Sequence, residues 1–221
     1  MGPLLKDHRV RRAHAGYRRA AVLALFAHAD GAPASLERVG DPEETDLFLV
    51  QRSPHLSHHP GQIALPGGGL DPGETPVVAA VRETQEETGI QPSSFEVVGA
   101  IGEVALPVSG NIVTPVLGWS SSIERTDTWD QAEVLHPLQV PVADLLDPKN
   151  RATVKLENFR SAGFELPTGW VWGFTGNLLA YLFDELGWTV PWDEDRSHTL
   201  TFAEAHGRAE SIPAARHTPS G

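Results

Sequence analysis

The chain has 221 residues, of which 40% are hydrophobic and 21% charged, an ordinary composition for one globular domain with a buried core. Its net charge of -12 argues against general binding to nucleic acid or to an anionic membrane, because both need a basic surface. The sequence has no cysteine, which excludes disulfides and cysteine-based catalytic or zinc sites and suits the reducing cytoplasm where we expect the protein.

The first half of the chain is predicted to consist mostly of strands and loops. Residues 1–19 are a polar lead-in with some helical character, and 20–28 form an apolar core strand. That strand is shorter than the ~18 residues a membrane span needs. It also follows Arg18 and Arg19 without the features of a secretory signal. The next predicted elements are a Gly/Pro/Asp-rich loop at 29–45, a strand at 46–52, a loop at 53–62, a short strand at 63–65 and a glycine-dense turn at 66–74.

A helix is predicted to begin after this turn. Thr75 is a suitable N-cap residue, and Pro76 fits the first helical position, where its missing N–H costs nothing. Gly89 supplies the C-terminal cap.

The second half alternates strands with helices. The predicted elements are strands at 95–104, 111–120 and 152–159, a short helix at 141–148 and a long helix at 172–186. The pattern predicts an α/β fold in which helices flank a mixed sheet. We expect a single domain over residues 1–202 and a disordered tail over 203–221.

The helix at 76–88 carries three glutamates on one side. At about 100° per residue, Glu83, Glu86 and Glu87 lie opposite the face that should pack on the sheet. The predicted packing face consists of Val77, Ala80, Val81, Thr84 and Thr88. Like charges at these spacings cost roughly 0.2–0.5 kcal/mol per pair, so a compensating cation is expected. The pattern alone fits either a solvated acidic face or a hard-oxygen site for Mg²⁺ or Mn²⁺.

Two upstream features favour the metal site. The glycines Gly67, Gly68 and Gly69 let the backbone approach a metal or phosphate without obstruction by Cβ atoms. Glu74, at the start of the helix, is placed to pair with Arg82 and fix the helix against the loop.

These residues together resemble the Nudix box. The matching string is Gly68, five residues, Glu74, seven residues, and then Arg82-Glu83-Thr84-Gln85-Glu86-Glu87-Thr88-Gly89-Ile90. Every charged and glycine position of the pattern matches, and Thr84 is the one departure, where an aliphatic residue is usual.

The resemblance implies an α/β/α sandwich and a hydrolase of nucleoside diphosphate derivatives that uses Mg²⁺ or Mn²⁺. It implies that Glu83, Glu86 and Glu87 bind the metal and that the Gly68 carbonyl adds a ligand. Arg82 and Glu74 would orient the helix. The general base would be Glu83 or a downstream acid, for which Glu133 is our candidate, although it could equally be a surface glutamate. A homodimer is also expected from the family.

The segment before the box resembles the element that marks the coenzyme A pyrophosphatase branch. Positions that match are Arg52, Ser53, Gly61, Pro66, Gly67 and Gly68, and we expect Arg52, Ser53, Gly67 and Gly68 to contact substrate. Ser57 stands where the branch has arginine, and Leu65 replaces a phenylalanine. The lost arginine matters more, because a guanidinium is a natural partner for the 3′-phosphate of coenzyme A.

Alternatives remain at this stage. The substrate could be another nucleoside diphosphate derivative such as ADP-ribose, NADH or a nucleotide sugar, or the chain could be a Nudix-fold ligand sensor. Arg52 could be an ordinary ion-pair partner. The histidines in 55–59 are expected to be surface residues, and Trp170 and Trp172 to serve packing rather than adenine stacking.

Overall fold

The computed structural model describes residues 16–29 and 40–205. Its helices are α1 (Pro76–Thr88), α2 (Val142–Leu146), α3 (Gly173–Glu185) and α4 (Phe202–Ala205). Its strands are β1 (Arg18–His28), β2 (Thr45–Arg52), β3 (Ile63–Ala64), β4 (Gly67–Gly69), β5 (Glu96–Ala100), β6 (Val104–Leu106), β7 (Asn111–Ser120), β8 (Val134–Pro141), β9 (Arg151–Leu156), β10 (Phe159–Leu166), β11 (Gly169–Val171) and β12 (Ser197–Thr199). Over these two ranges, no helix has the length and apolarity needed to cross a membrane.

The strands form one connected mixed sheet. Its main path runs β12-β9-β10-β11-β3-β2-β1-β7-β5, with β4, β6 and β8 paired to β1, β7 and β2. Strand β1 runs parallel to β7 and antiparallel to β2 and β4. The mixed α/β architecture predicted from the sequence is therefore confirmed.

Strand β1 forms the centre of the layers because both of its faces are buried. Leu23 and Leu25 pack in a cluster with Ala79 and Ala80 of α1. Phe26 points to the opposite face, where a larger cluster includes residues of α3. This period of two is what a strand buried on both sides requires. Helix α1, with the predicted metal face, is thereby seated on one side of the sheet.

Helix α1 has the predicted bounds. The Thr75 hydroxyl accepts a hydrogen bond from the Val78 N–H, and Pro76 occupies the first helical position. At the other end, Gly89 has φ +74°, and its N–H donates to the Gln85 carbonyl.

Several other sequence predictions need correction. The predicted turn at 66–74 contains strand β4, whose glycines lie so close to β1 that a Cβ on Gly67 would collide with the Ala21 carbonyl. The predicted strand at 95–104 divides into β5 and β6, and strands β8, β10, β11 and β12 were not predicted. Helix α4 spans the predicted boundary between the domain and the tail at residues 202 and 203, and the disorder of the tail stays a prediction. Predictions for residues 1–15, 30–39 and 206–221 lie outside the described residues.

Candidate metal and diphosphate site

Glu87 is buried, contrary to the prediction that all three glutamates face away from the sheet. Its side chain is only 2% exposed, because β4 packs against α1 and covers this side of the helix. The Gly67 N–H donates to Glu87 Oε2 at 2.8 Å. Among the described residues Oε1 has no hydrogen-bond partner, and the nearest cation is Arg52 Nη1 at 3.9 Å. One carboxylate oxygen is thus fixed by the glycine strand and the other is left without a hydrogen bond.

Burial controls the protonation of Glu87. Desolvation raises its pKa to about 8, and the carboxylates of Glu83 and Glu133 add to the rise. The hydrogen bond from Gly67 and the charge of Arg52 oppose it. A divalent cation at this carboxylate would favour its ionised form.

Arg82 connects α1 to the loop before it. Its guanidinium binds Glu74 through two hydrogen bonds, Nε to Oε1 at 3.0 Å and Nη2 to Oε2 at 3.1 Å. Nη2 also donates to the Gly69 carbonyl at 3.1 Å. The hydrogen bond from Arg82 holds the pKa of Glu74 below its usual value. The predicted pairing of Glu74 with Arg82 is therefore present, and it reaches the glycine strand as well.

The same guanidinium also neutralises part of the acidic face. Arg82 Nη1 donates to Glu83 Oε1 at 2.9 Å and to Glu86 Oε2 at 3.0 Å. The sequence predicted that a metal compensates the repulsion among the glutamates. Arg82 already offsets part of that repulsion within the protein. The acidic spacing alone is therefore no evidence for a cation, and the fit of a metal depends on the other donors.

Glu83 faces the bare backbone of Gly68. A Cβ at position 68 would collide with the Glu83 carboxylate, so only glycine allows this approach. Burial raises the pKa of Glu83, while its hydrogen bond from Arg82 lowers it. The close approach brings the Glu83 carboxylate against the strand whose carbonyl was predicted to be a metal ligand.

Glu133 and Ser53 lie beside this cluster. The negative charge of Glu133 raises the pKa of both Glu83 and Glu87, so its carboxylate lies close enough to act on both. Glu133 is exposed, and its carbonyl accepts a hydrogen bond from the buried Ser53 N–H at 2.7 Å. Arg52 is 23% exposed next to them. The structure therefore brings the candidate base and the candidate substrate residues to one edge of the acidic face.

The donor set fits a hard divalent cation. Over residues 16–29 and 40–205, no three acidic or histidine side chains already converge as ligands, since Arg82 holds Glu83 and Glu86. Even so, carboxylates and a backbone carbonyl are the oxygen donors that Mg²⁺ and Mn²⁺ prefer. The Glu87 oxygen without a hydrogen bond, buried beside the glycine strand, is an acceptor that a cation would satisfy.

The loop histidines, Ser57 and the two tryptophans have the surroundings predicted for surface and packing residues. His55, Ser57, His58 and His59 are exposed. Trp170 and Trp172 pack on protein rings: Trp170 stacks on His198, and Trp172 meets Phe159 edge-on.

A loop contact at Gly89 was missed by sequence reasoning. The Thr126 N–H donates to the Gly89 carbonyl at 3.0 Å, and the Asp130 N–H donates to the Glu86 carbonyl at 2.8 Å. A Cβ on Gly89 would collide with the Thr126 carbonyl. The glycine therefore serves the loop that carries Glu133 as well as the helix cap. Its local sequence signals only the cap, because the loop contacts are distant along the chain.

Comparisons with known proteins relate the chain to one family. A family model described as the NUDIX domain matches residues 39–156. The chain is 52% identical over 73 residues to an uncharacterized Nudix hydrolase NudL of Escherichia fergusonii, covering 33% of this chain and 38% of that protein. It is 34% identical over 147 residues to the uncharacterized NudL of Escherichia coli, covering 64% and 75%. Among solved structures, the M. Smegmatis Nudix hydrolase RenU shares 27% identity with a TM-score of 0.41, covering 58% of this chain and 76% of that one.

Proposed function

The chain belongs to the Nudix family of hydrolases, and from that premise we propose that it is a metal-dependent pyrophosphohydrolase of coenzyme A or its derivatives. Hydrolysis of the diphosphate would give adenosine 3′,5′-bisphosphate and 4′-phosphopantetheine. The observation that carries the proposal is the buried Glu87 carboxylate beside the glycine strand, one oxygen of which has no hydrogen-bond partner among the described residues.

The metal ligands we propose are Glu83, Glu86, Glu87 and the Gly68 carbonyl. A bound Mg²⁺ or Mn²⁺ would neutralise the charge of the diphosphate and lower the pKa of a water molecule. The Arg82–Glu74 pair holds α1 against the loop between β4 and α1, and the hydrogen bond from Arg82 to the Gly69 carbonyl keeps the carboxylates and the glycine backbone in register. The hydrogen bond from Gly67 fixes the orientation of Glu87.

We propose that one of two carboxylates takes the proton from the attacking water. Glu83 lies against the glycine strand, and Glu133 is exposed and acts electrostatically on Glu83. Comparison of Glu133→Gln with Glu83→Gln assigns the base. Loss of the acidic limb of the pH–rate profile, where the base becomes protonated, in only one variant would identify that residue.

Arg52 is the residue we propose for binding the phosphates of the substrate. Its guanidinium is partly exposed next to Glu87, and its Nε has no hydrogen-bond partner among the described residues. A planar guanidinium in this state is suited to bind phosphate oxygens. Of the two departures from the branch pattern, Leu65 is buried in the core and fills a packing position, whereas Ser57 is exposed and removes a cation.

A substrate panel tests the proposal. Wild-type protein with Mg²⁺ or Mn²⁺ is assayed on coenzyme A, ADP-ribose, NADH and diadenosine polyphosphates, with Glu83→Gln as the inactive control. Coenzyme A should have the highest kcat/KM. Faster turnover of ADP-ribose would contradict the proposed substrate and leave the family unchanged.

A second comparison tests the 3′-phosphate. If Arg52 alone replaces the missing arginine, 3′-dephospho-coenzyme A should be a poorer substrate than coenzyme A, and Arg52→Ala should remove the difference. Equal rates in the wild type would show that no 3′-phosphate pocket exists. Tight nucleotide binding without turnover in the presence of metal would instead favour the sensor function.

We also propose that the protein is a homodimer in the cytoplasm, as expected from the family. Light scattering on the purified protein gives its mass in solution. A mass of one chain at micromolar concentration would contradict the dimer.

A further inference from the structure

A groove lies between the C-terminal half of α1 and the loop that leads to β8. Its volume is about 360 Å³. Its lining includes Gln85, Glu86, Gln91, Thr128, Trp129 and Asp130. Glu86 belongs both to this groove and to the acidic face, so the two are contiguous.

Hydrogen bonds join the walls of the groove. The loop is attached to α1 by the Asp130 N–H on the Glu86 carbonyl, and the Gln91 N–H donates to the Glu124 carbonyl at 2.8 Å. The Trp129 indole N–H donates to the Val134 carbonyl at 3.1 Å, which holds the ring in place. The groove is therefore formed before any ligand arrives, as small-molecule subsites usually are.

The groove and Arg52 flank the acidic face from opposite sides. At about 100° per residue around α1, the order is Glu87, Glu83, Glu86 and then Gln85. Arg52 approaches Glu87, at one end of this order. The groove begins at Glu86 and continues past Gln85, at the other end. A diphosphate held over the glutamates would extend one arm towards Arg52 and the other into the groove.

The lining of the groove favours a neutral ligand. Its charged groups are the carboxylates of Glu86 and Asp130, and no lysine or arginine of the described residues lines it. A phosphate would be repelled there. The amides of Gln85 and Gln91 can both donate and accept hydrogen bonds, and the Trp129 ring offers an apolar surface.

We infer that this groove is the subsite for the neutral, amide-bearing arm of the substrate, the arm that leaves as phosphopantetheine. The inference rests on the proposed function and extends it. Coenzyme A has two unlike ends, a nucleotide with an extra phosphate and an uncharged arm with two amides and two geminal methyl groups. The cationic end of the site matches the first, and the groove matches the second.

The test compares two substrates in matched variants. Coenzyme A is set beside the methyl ester of 3′-phosphoadenosine 5′-diphosphate, which keeps the nucleotide and the diphosphate but lacks the arm. Gln85→Ala removes an exposed lining amide, and Gln85→Trp obstructs the groove. Gln131→Ala, an exposed glutamine of the same loop outside the lining, is the control.

Gln85→Ala should raise the KM for coenzyme A about fivefold, the effect of one neutral hydrogen bond, and Gln85→Trp should raise it further. Neither variant should change kcat for coenzyme A by more than about twofold or alter the KM for the methyl ester. Equal KM changes for both substrates, or no change in either variant, would overturn the assignment. Failure of the wild type to hydrolyse coenzyme A would overturn the proposed function itself. A groove variant with the same KM as an active wild type would overturn only the assignment of the groove.

Discussion

Two helices of thirteen residues, α1 and α3, lie on opposite faces of the same sheet and are held there by different forces. Helix α3 buries large apolar side chains, among them Leu178, Leu179, Leu182 and Phe183. Helix α1 buries Ala79, Ala80, Thr84, Glu87 and Thr88, which supply far less apolar area. Burial of apolar area is worth roughly 25 cal/mol per Å², so α3 contributes more to the hydrophobic stability of the fold.

Polar contacts compensate in α1. The Thr75 and Gly89 caps attach it at both ends, and the Arg82 network and the Gly67–Glu87 hydrogen bond attach it along its acidic side. A helix that carries a row of carboxylates cannot use that side for apolar packing. We therefore expect substitutions on α3 to affect stability and substitutions on the acidic face of α1 to affect activity.

The largest expected effect is on stability, from Phe183→Ala in α3. Phe183 is fully buried and meets the Phe164 ring edge-on, so its removal leaves a cavity. The free energy of unfolding should fall by about 3–5 kcal/mol, measured by urea denaturation, with kcat of the folded protein unchanged. If that variant does not fold, the milder Phe183→Leu should still lower the free energy of unfolding, by a smaller amount. The control is Val78→Ala, at an exposed position of α1. If Phe183→Ala were as stable as this control, α3 would not contribute the larger share of hydrophobic stability.

Next in size is the effect of Glu83→Gln on catalysis. The substitution removes one carboxylate from the proposed metal site, and kcat should fall by about 100- to 1000-fold. The melting temperature should stay close to that of the wild type, because the change also removes a like-charge neighbour of Glu86. Glu96→Gln on the exposed strand β5 is the control. Activity within a few-fold of the wild type would show that Glu83 is not part of the metal face.

Gly89→Ala should affect both stability and activity, because this residue caps α1 and also contacts the loop that carries Glu133. Its positive φ makes alanine strained, by about 1–2 kcal/mol, and its Cβ would displace the loop that carries Glu133. Stability and kcat should both fall. Gly73→Ala is the matched control, since Gly73 also has a positive φ, +84°, but lies in open space. An equal loss of activity in the two variants would contradict the loop contact.

A further expected effect is that the stability of the metal-free protein depends on pH. The folded pKa of Glu87, about 8, lies above its ordinary value of 4.5, so the folded state binds more protons between these values. Stability should therefore decrease as pH rises from about 4.5 to 8. Urea denaturation in a chelator measures the slope, which should be shallower in Glu87→Gln. A variant with an unchanged slope would show that Glu87 does not titrate in this range.

Local signals made α1 predictable from the sequence. The cap residues Thr75, Pro76 and Gly89 act within one turn of the helix, so their spacing determines its ends. The burial of Glu87 could not be read in the same way, because it depends on β4, which lies twenty residues earlier and looks like a glycine turn. Strand β8 was missed because His136 and Pro137 interrupt its apolar pattern.

The part of the site that is local in sequence was also predictable. The Nudix spacing brought together Gly68, Glu74, Arg82 and the glutamates, since they belong to one loop and one helix. The placement of Glu133 and of the groove depends on hydrogen bonds between α1 and a loop some forty residues later, such as Thr126 N–H to the Gly89 carbonyl. Long-range pairing of this kind has no local sequence signal.

Arg82 has a consequence for how the enzyme is assembled. Because its guanidinium already balances Glu83 and Glu86, the acidic face does not need an ion to offset its charge, and binding of the proposed metal would exchange one cation for another. Maturation and activation are then separate events. The supply of free divalent metal, rather than synthesis of new protein, would set how many molecules are working at a given moment.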